Sequence, residues 1–270
     1  MPENSGSLTI ACWQVASLRG DVAGNLAALE RAAEHARDAG AELLITPEMH
    51  LTGYNIGDGI GTLAARQPLE GVRDIARRVG IAIIAGGPER LPESSVDSQN
   101  GVANSAWLVD SDGTVLSRHR KLQLFGELDR AHFTAGHEPI TLAEYRGFRI
   151  ATLICFDVEY PETTRAAALA GADLIAVPTA QMTPFQFVNE HVIRVRAWEN
   201  SAYVAYVNQI GADGDFDYVG RSVIADPFGH HLAEAPAAEE ALVLATLDHG
   251  TLHRAREQNP YLVELRRDLF

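Results

Sequence analysis

The chain has 270 residues, 46% of them hydrophobic, which is enough for one large α/β domain or two small ones. Lys and Arg number 22 against 36 Asp and Glu, a formal net charge of −14. That charge argues against nucleic-acid and anionic-membrane partners, because a chain so acidic has no basic patch to neutralise phosphates.

There are only two cysteines, Cys12 and Cys155. No CxxC or Cys/His cluster accompanies them, so neither a disulfide framework nor a structural zinc site is expected. The first residues lack a basic segment followed by an apolar one, and no apolar run reaches membrane-spanning length. A reducing, cytoplasmic location is expected, in which Cys155 persists as a free thiol.

Residues 7–14 form an apolar run of strand type, and residues 23–39 carry Ala and Leu at helical spacing before Gly40, a good helix stop. A second strand over 42–46 runs into Pro47 and Glu48. This is a βαβ unit, which implies a parallel pair with a right-handed crossover. A Gly- and Asp-rich loop follows, then a predicted helix over 62–79 and a strand over 81–87. The loop with Gly57, Gly59 and Gly61 lacks the spacing of a dinucleotide fingerprint.

Residues 88–101 are polar and predict an exposed loop. Strands over 102–109 and 114–119 flank a turn at 110–113. A loop is expected through Gly136, then a short hairpin over 140–143 and 148–154. The second half repeats the layout: helix 161–171, strand 173–178, helix 185–200 and strand 202–207. A hairpin over 219–225 and 230–234, a strand over 241–247 and a closing helix over 248–258 complete it. Mixed strands with helices between them predict two sheets, each covered by helices on one face, in a single domain over 1–270. Its core spans about 7–250, with 251–270 as a C-terminal tail.

Three residues stand where strands end. Cys155 follows the apolar run Ile150 to Ile154 and precedes Pro161, which suits the first turn of a helix. A thiol there meets backbone N–H groups at a partly open place. Glu48 ends a predicted parallel strand, the end at which α/β sheets place ligands. Lys121 follows a strand and is flanked by Leu122, Leu124 and Phe125, so its ammonium requires an anionic partner. Together the three suit acyl transfer. The thiolate attacks, the carboxylate shuttles the proton, and the cation beside backbone N–H groups holds the oxyanion.

Pro47-Glu48, residues 120–125 (Arg-Lys-Leu-Gln-Leu-Phe) and residues 154–162 (Ile-Cys-Phe-Asp-Val-Glu-Tyr-Pro-Glu) resemble the Glu, Lys and Cys motifs of the carbon–nitrogen hydrolase (nitrilase) superfamily. Lys121 lies 73 residues after Glu48, and Cys155 a further 34, which fits the order and rough spacing of that family. Residues 196–200, 207–208, 220–222 and 226–229 add to the resemblance, which covers roughly residues 7 to 250.

The resemblance implies a four-layer α-β-β-α sandwich with an internal pseudo-twofold layout, paired into homodimers or higher oligomers. It implies Cys155 as nucleophile, Glu48 as general base and Lys121 as oxyanion stabiliser, with the backbone N–H of Phe156 sharing the oxyanion hole. It implies a cofactor-free, metal-free amidohydrolase acting on small linear amides through a Cys155 thioester. Many members carry a second glutamate between the Lys and Cys motifs. The aligned position here is Asp129, a shorter acid, and Glu127 is the alternative if the loop shifts. The run 156–161 resembles the amidase branches rather than strict nitrilases or carbamoylases. ω-Amidases commonly have Arg where this chain has Glu159. A Glu159 facing the pocket would repel a substrate carboxylate and accept a neutral or cationic amide.

Other readings stay open. The same three residues would serve a true nitrilase, and a catalytically silent binding member is a further alternative. Cys12 reads as a small hydrophobe in packing. Asp157, Glu159 and Glu162 also fit first-turn acids beside a helix dipole. Arg196, Glu199 and Asn200 suggest a structural network, and His249 with His253 a solvated helix face. Tyr54 and Trp107 fit either a pocket wall or the core, and 181–185, beginning at Gln181, is expected at the rim of the acyl pocket.

Overall fold

A computed structural model describes residues 6–92 and 101–269, so 93–100 of the expected exposed loop lie outside the described residues. β1 (Ser7–Gln14) leads to α1 (Val22–Asp38), whose start is capped by the Asp21 carboxylate accepting from the Gly24 N–H at 2.9 Å. Gly40 follows at φ +87°, a conformation that glycine adopts without strain, and the chain turns into β2 (Leu43–Ile45). The single helix expected over 62–79 is two, α2 (Ile60–Ala64) and α3 (Pro68–Val79). Pro68 is the reason. It supplies no N–H to continue α2, and it sits at the first turn of α3, where none is needed.

β3 (Ala82–Arg90), β4 (Val102–Val109) and β5 (Val115–Arg120) follow. The loop expected after β5 contains a short helix, α4 (Gly126–His132). β6 (Leu142–Tyr145) and β7 (Phe148–Thr152) form the expected hairpin. A 3-10 turn (Cys155–Glu159) then leads into α5 (Pro161–Leu169) and β8 (Leu174–Pro178). A π turn (Val188–Val192) runs into α6 (Ile193–Asn200), and β9 (Tyr203–Val207) follows.

β10 (Ile210–Asp213) and β11 (Phe216–Val219) make a small hairpin of four-residue strands, too short for hydrophobic alternation to reveal. The strand expected over 219–225 is only β12 (Val223–Ala225), because Gly220 and Arg221 both take positive φ. β13 (His231–Glu234), β14 (Ala241–Asp248), α7 (His249–Gln258) and α8 (Tyr261–Glu264) complete the order. The tail boundary expected at 251 falls inside α7, whose Leu252 joins the core between the sheets.

Two six-stranded sheets carry the fold, in the orders β14-β1-β2-β3-β4-β5 and β13-β12-β9-β8-β7-β6. Each has three parallel strands at its centre and antiparallel strands outside them. The two orders correspond strand for strand, which is the expected pseudo-twofold. Side chains alternate across each strand and separate three apolar layers. Ile10, Cys12, Ile45 and Ile84 face Phe148, Leu174, Ala205 and Val207 between the sheets. Ala11, Leu44 and Ile83 pack under α1 and α3, and Ile175, Val177 and Val204 under α5 and α6. The result is the α-β-β-α sandwich. It brings the chain leaving β2 against the chain leaving β8, where the Glu48 N–H donates to the Thr179 carbonyl at 3.3 Å.

Candidate active site

Glu48 is carried three residues past β2 and is 1% exposed. Gln209 holds its backbone, donating from Nε2 to the Glu48 carbonyl at 2.9 Å. Lys121 follows the last residue of β5. Arg120 beside it makes two bonds to Glu89, at 2.8 and 2.7 Å, and these anchor the strand end. The Lys121 N–H donates to the Asn104 carbonyl, and its own carbonyl accepts from Gly136. Its ammonium is fully buried and donates to Glu48 Oε1 at 2.8 Å and to Asp129 Oδ2 at 2.7 Å. One lysine thus bridges two carboxylates brought from strand ends and a loop helix.

Asp129 lies on α4 and is also fully buried. Tyr54 donates to its Oδ1 at 2.7 Å, and the Phe125 N–H donates to its Oδ2 at 2.9 Å. Glu127, the alternative, is exposed on the same helix. The shorter side chain reaches because α4 brings its backbone close. The ring of Tyr54 lies 5.6 Å from the ammonium, adding a cation–π contact.

Cys155 sits three residues past β7, at the first position of the 3-10 turn, with φ +45°. A non-glycine residue pays strain there, and such strain collects at functional sites. The residue is 6% exposed. Burial and the charge of Glu48 push its thiol well above the usual range, against the opposing pull of Lys121, Thr179 and the Ala180 backbone. Burial and then Asp129 raise the Glu48 carboxyl, with Lys121 pulling the other way. Burial works against the Lys121 ammonium, but Asp129 and Glu48 outweigh it and hold its pKa well above the lysine range. The resting thiol is therefore protonated, the lysine is charged, and the arrangement can pass one proton from sulfur to carboxylate as a bond forms.

Glu48 spends one oxygen on Lys121 and on Asn104, whose Nδ2 donates to the same Oε1 at 2.7 Å. The other oxygen, Oε2, is buried and has no hydrogen-bond partner among the described residues. Asn104 was not anticipated. Its signal is a buried amide inside the mostly apolar strand β4. Asp157 caps the turn as expected of a first-turn acid, accepting from the Ile154 N–H, but it also reaches across to the Lys121 loop. Glu162 is exposed on the first turn of α5.

Glu159 is half-buried at the end of the turn and accepts from Gln181 Nε2 at 3.3 Å. Burial raises its carboxyl. Phe156, Phe125, Phe185 and Tyr160 make a chain of edge-to-face rings beside it. Tyr54 belongs to the site and Trp107 to the core under α1 and α3. Arg196 donates to the carbonyls of Val158 and Glu159 and pairs with Glu199, so that group braces the turn. His249 stacks on Phe148 and His253 pairs with Glu257. Among the described residues, no group of three or more His, Cys, Asp and Glu side chains is placed to hold a metal ion.

A buried thiol, carboxylate and ammonium at the strand ends of an α-β-β-α sandwich have the makings of a cysteine acyl-transfer enzyme. The carbon–nitrogen hydrolase family model matches residues 9–257. A hydrolase encoded in the pqqF 5′ region of Pseudomonas protegens is 43% identical over 98% of this chain and 91% of its own length. An (R)-stereoselective amidase of a Pseudomonas species is 34% identical over 96% of this chain and 92% of its own. A solved variant of the amidase from Nesterenkonia sp. AN1 superposes with a TM-score of 0.86 at 32% identity, covering 99% of this chain and 97% of that one. That variant carries the acetamide moiety of fluoroacetamide added covalently at its active-site cysteine. The chain belongs to the carbon–nitrogen hydrolase family, in its amidase-like branch, and is a cysteine amidohydrolase. Among the described residues no helix is long and apolar enough to cross a membrane.

Proposed function

We propose that Cys155 is the nucleophile of this amidase, Glu48 its general base and acid, and Lys121 its oxyanion cation. The observation that carries the reading is Glu48 Oε2, a buried carboxylate oxygen left without a partner while Oε1 is bound by Lys121 and Asn104. The Cys155 thiol proton passes to that oxygen as sulfur attacks the amide carbon. The tetrahedral oxyanion rests against the Lys121 ammonium and the backbone N–H of Phe156. Donors in a first turn have no intrahelical partner, which leaves that N–H for the substrate. The C–N bond breaks and Glu48 returns the proton to the leaving nitrogen, freeing ammonia or an amine. Water then gives a proton to Glu48 and its oxygen to the thioester, the S–C bond breaks, and the thiol regains its proton. Asp129 keeps the lysine charged and in place.

The substrate is a small linear amide that is neutral or cationic. The half-buried carboxylate of Glu159 beside Gln181 supports this, because an uncompensated anion next to it would cost free energy. Tyr54 and Gln181 complete the wall around Asp129 and Glu159. The enzyme works as one unit over 1–270 in a reducing cytoplasm, where its thiol stays free. Two copies pair through the face of α6, on which Val195 and Trp198 stand exposed. A dimer mass in sedimentation tests the pairing.

Intact-mass spectrometry during turnover of an amide panel tests the chemistry. Expected is a mass gain on Cys155 equal to the acyl group, with neutral and basic amides turned over faster than a succinamate-type substrate. Absence of any adduct under conditions of rapid mixing, together with activity in Cys155→Ala, would overturn the roles.

A further inference from the structure

We propose that Asp157, backed by His119, is the positioning residue that sets the Cys155 sulfur against the Lys121 ammonium. The inference rests on the roles given above for those two residues. Asp157 is fully buried, and its carboxylate accepts three backbone N–H bonds from two separate loops and meets the His119 ring on β5. Oδ1 takes the N–H groups of Leu122 at 3.0 Å and Gln123 at 2.8 Å. Oδ2 takes the N–H of Ile154 at 3.0 Å and meets His119 Nε2 at 3.0 Å. Leu122 is the residue after Lys121, and Ile154 is the residue before Cys155. One side chain therefore holds the chain next to the cation and the chain next to the nucleophile.

The same residue closes the strained turn. The Asp157 N–H donates to the Ile154 carbonyl at 3.0 Å while its side chain accepts from the Ile154 N–H. Cys155 lies inside that ring, which holds its φ at +45°. Thr163 donates to the Asp157 carbonyl and fixes the ring to the start of α5.

An ionised carboxylate suits this place because it only accepts. Asparagine has the same shape but would set an NH₂ group against N–H donors, leaving one loop unheld. His119 lies on β5, two residues before Lys121, with its ring fully buried. Its buried Nδ1 has no partner among the described residues, and a carboxylate only accepts, so Nε2 is the nitrogen that donates to Asp157. The imidazole thereby fixes the carboxylate's orientation relative to the end of β5. Neither residue need touch the substrate, and the sulfur–ammonium geometry depends on both.

The test compares two reactions of Cys155. Amide turnover needs the oxyanion cation, whereas attack of the sulfur on a small methanethiosulfonate, which forms a mixed disulfide and expels methanesulfinate, builds no oxyanion. Displacement of a catalytic group by about 1 Å costs on the order of 100-fold. For Asp157→Asn the expected result is a kcat lowered about 100-fold with KM within about threefold, at a methanethiosulfonate rate within about threefold of the parent. His119→Phe is expected to lower kcat about tenfold, and His119→Gln, which keeps an N–H donor, to restore most of it. Should Asp157→Asn not fold, the same split is read from the two His119 variants. Equal losses in both reactions would mean general loosening of the turn and would overturn the inference, as would a kcat within threefold of the parent. Failure of the underlying roles looks different: the parent enzyme itself would show no acyl adduct on Cys155.

Discussion

The two cysteines make the sharpest comparison in the molecule. Both are free and buried, and burial raises both thiols. Cys12 lies inside β1, paired with Ile45 on one side and Val243 on the other, in the apolar layer between the sheets. Burial is what shifts its thiol. Cys155 lies just beyond the end of β7, where the ladder has stopped and the backbone is free to take positive φ. Glu48 and Lys121 act on it from other strand ends. Burial alone makes a thiol inert. A strand end lets charged groups approach a buried sulfur without passing through the core, and that placement separates a packing residue from a reactive one.

The comparison can be broken by exchanging what each cysteine has. The largest effect belongs to Cys155→Ala, expected to lower kcat at least about 10⁴-fold in steady-state assays while the fold is kept. Residual turnover near the parent level would end the distinction. Next is Lys121→Ala, which removes the cation that Cys12 never had. A loss of about 10²–10³ in kcat is expected. Stability should fall by roughly 3–5 kcal/mol in denaturant titration, because Glu48 and Asp129 would remain buried without a counter-charge.

A smaller effect follows from the proton balance. Glu48 must be ionised to take the thiol proton, and its pKa is raised by burial and by Asp129. The profile of kcat/KM against pH should therefore fall on the acid side at a pH above the ordinary carboxylate range. Asp129→Asn removes the neighbouring negative charge, so the acid limb should move to lower pH, with kcat reduced about tenfold through the loosened lysine. A limb that stays in place would remove Asp129 from the account of Glu48. The smallest effect is Cys12→Ala, expected to leave kcat unchanged and to cost about 1 kcal/mol for the small cavity between the sheets.

Much of the fold was legible because buried parallel strands write themselves as apolar runs and Pro and Gly punctuate their ends. Cys155, Glu48 and Lys121 were legible for the same reason: each stands where such a run stops. The break at Pro68 was visible and was missed, because the pattern on both sides of it is helical. α4 and the β10–β11 hairpin were not visible, since the helix has seven residues and each strand only four, too few to show a period. Asn104 and Asp157 were present in the sequence as a polar residue in an apolar strand and an acid before a helix. Their partners are 56 and 34–38 residues away, which no local pattern records.

Alone, the sequence determined which side chains stand at strand ends and that one of them is a thiol. Periodicity and turn chemistry are local, and they suffice for that. Only the tertiary structure decided that Asp129, and not Glu127, meets the lysine, and that Glu48 keeps one oxygen free. It also decided that Asp157 joins the two loops that carry the cation and the sulfur. Those outcomes depend on distances between segments far apart in the chain. The distances exist only once two sheets have packed face to face and excluded water from the charges between them.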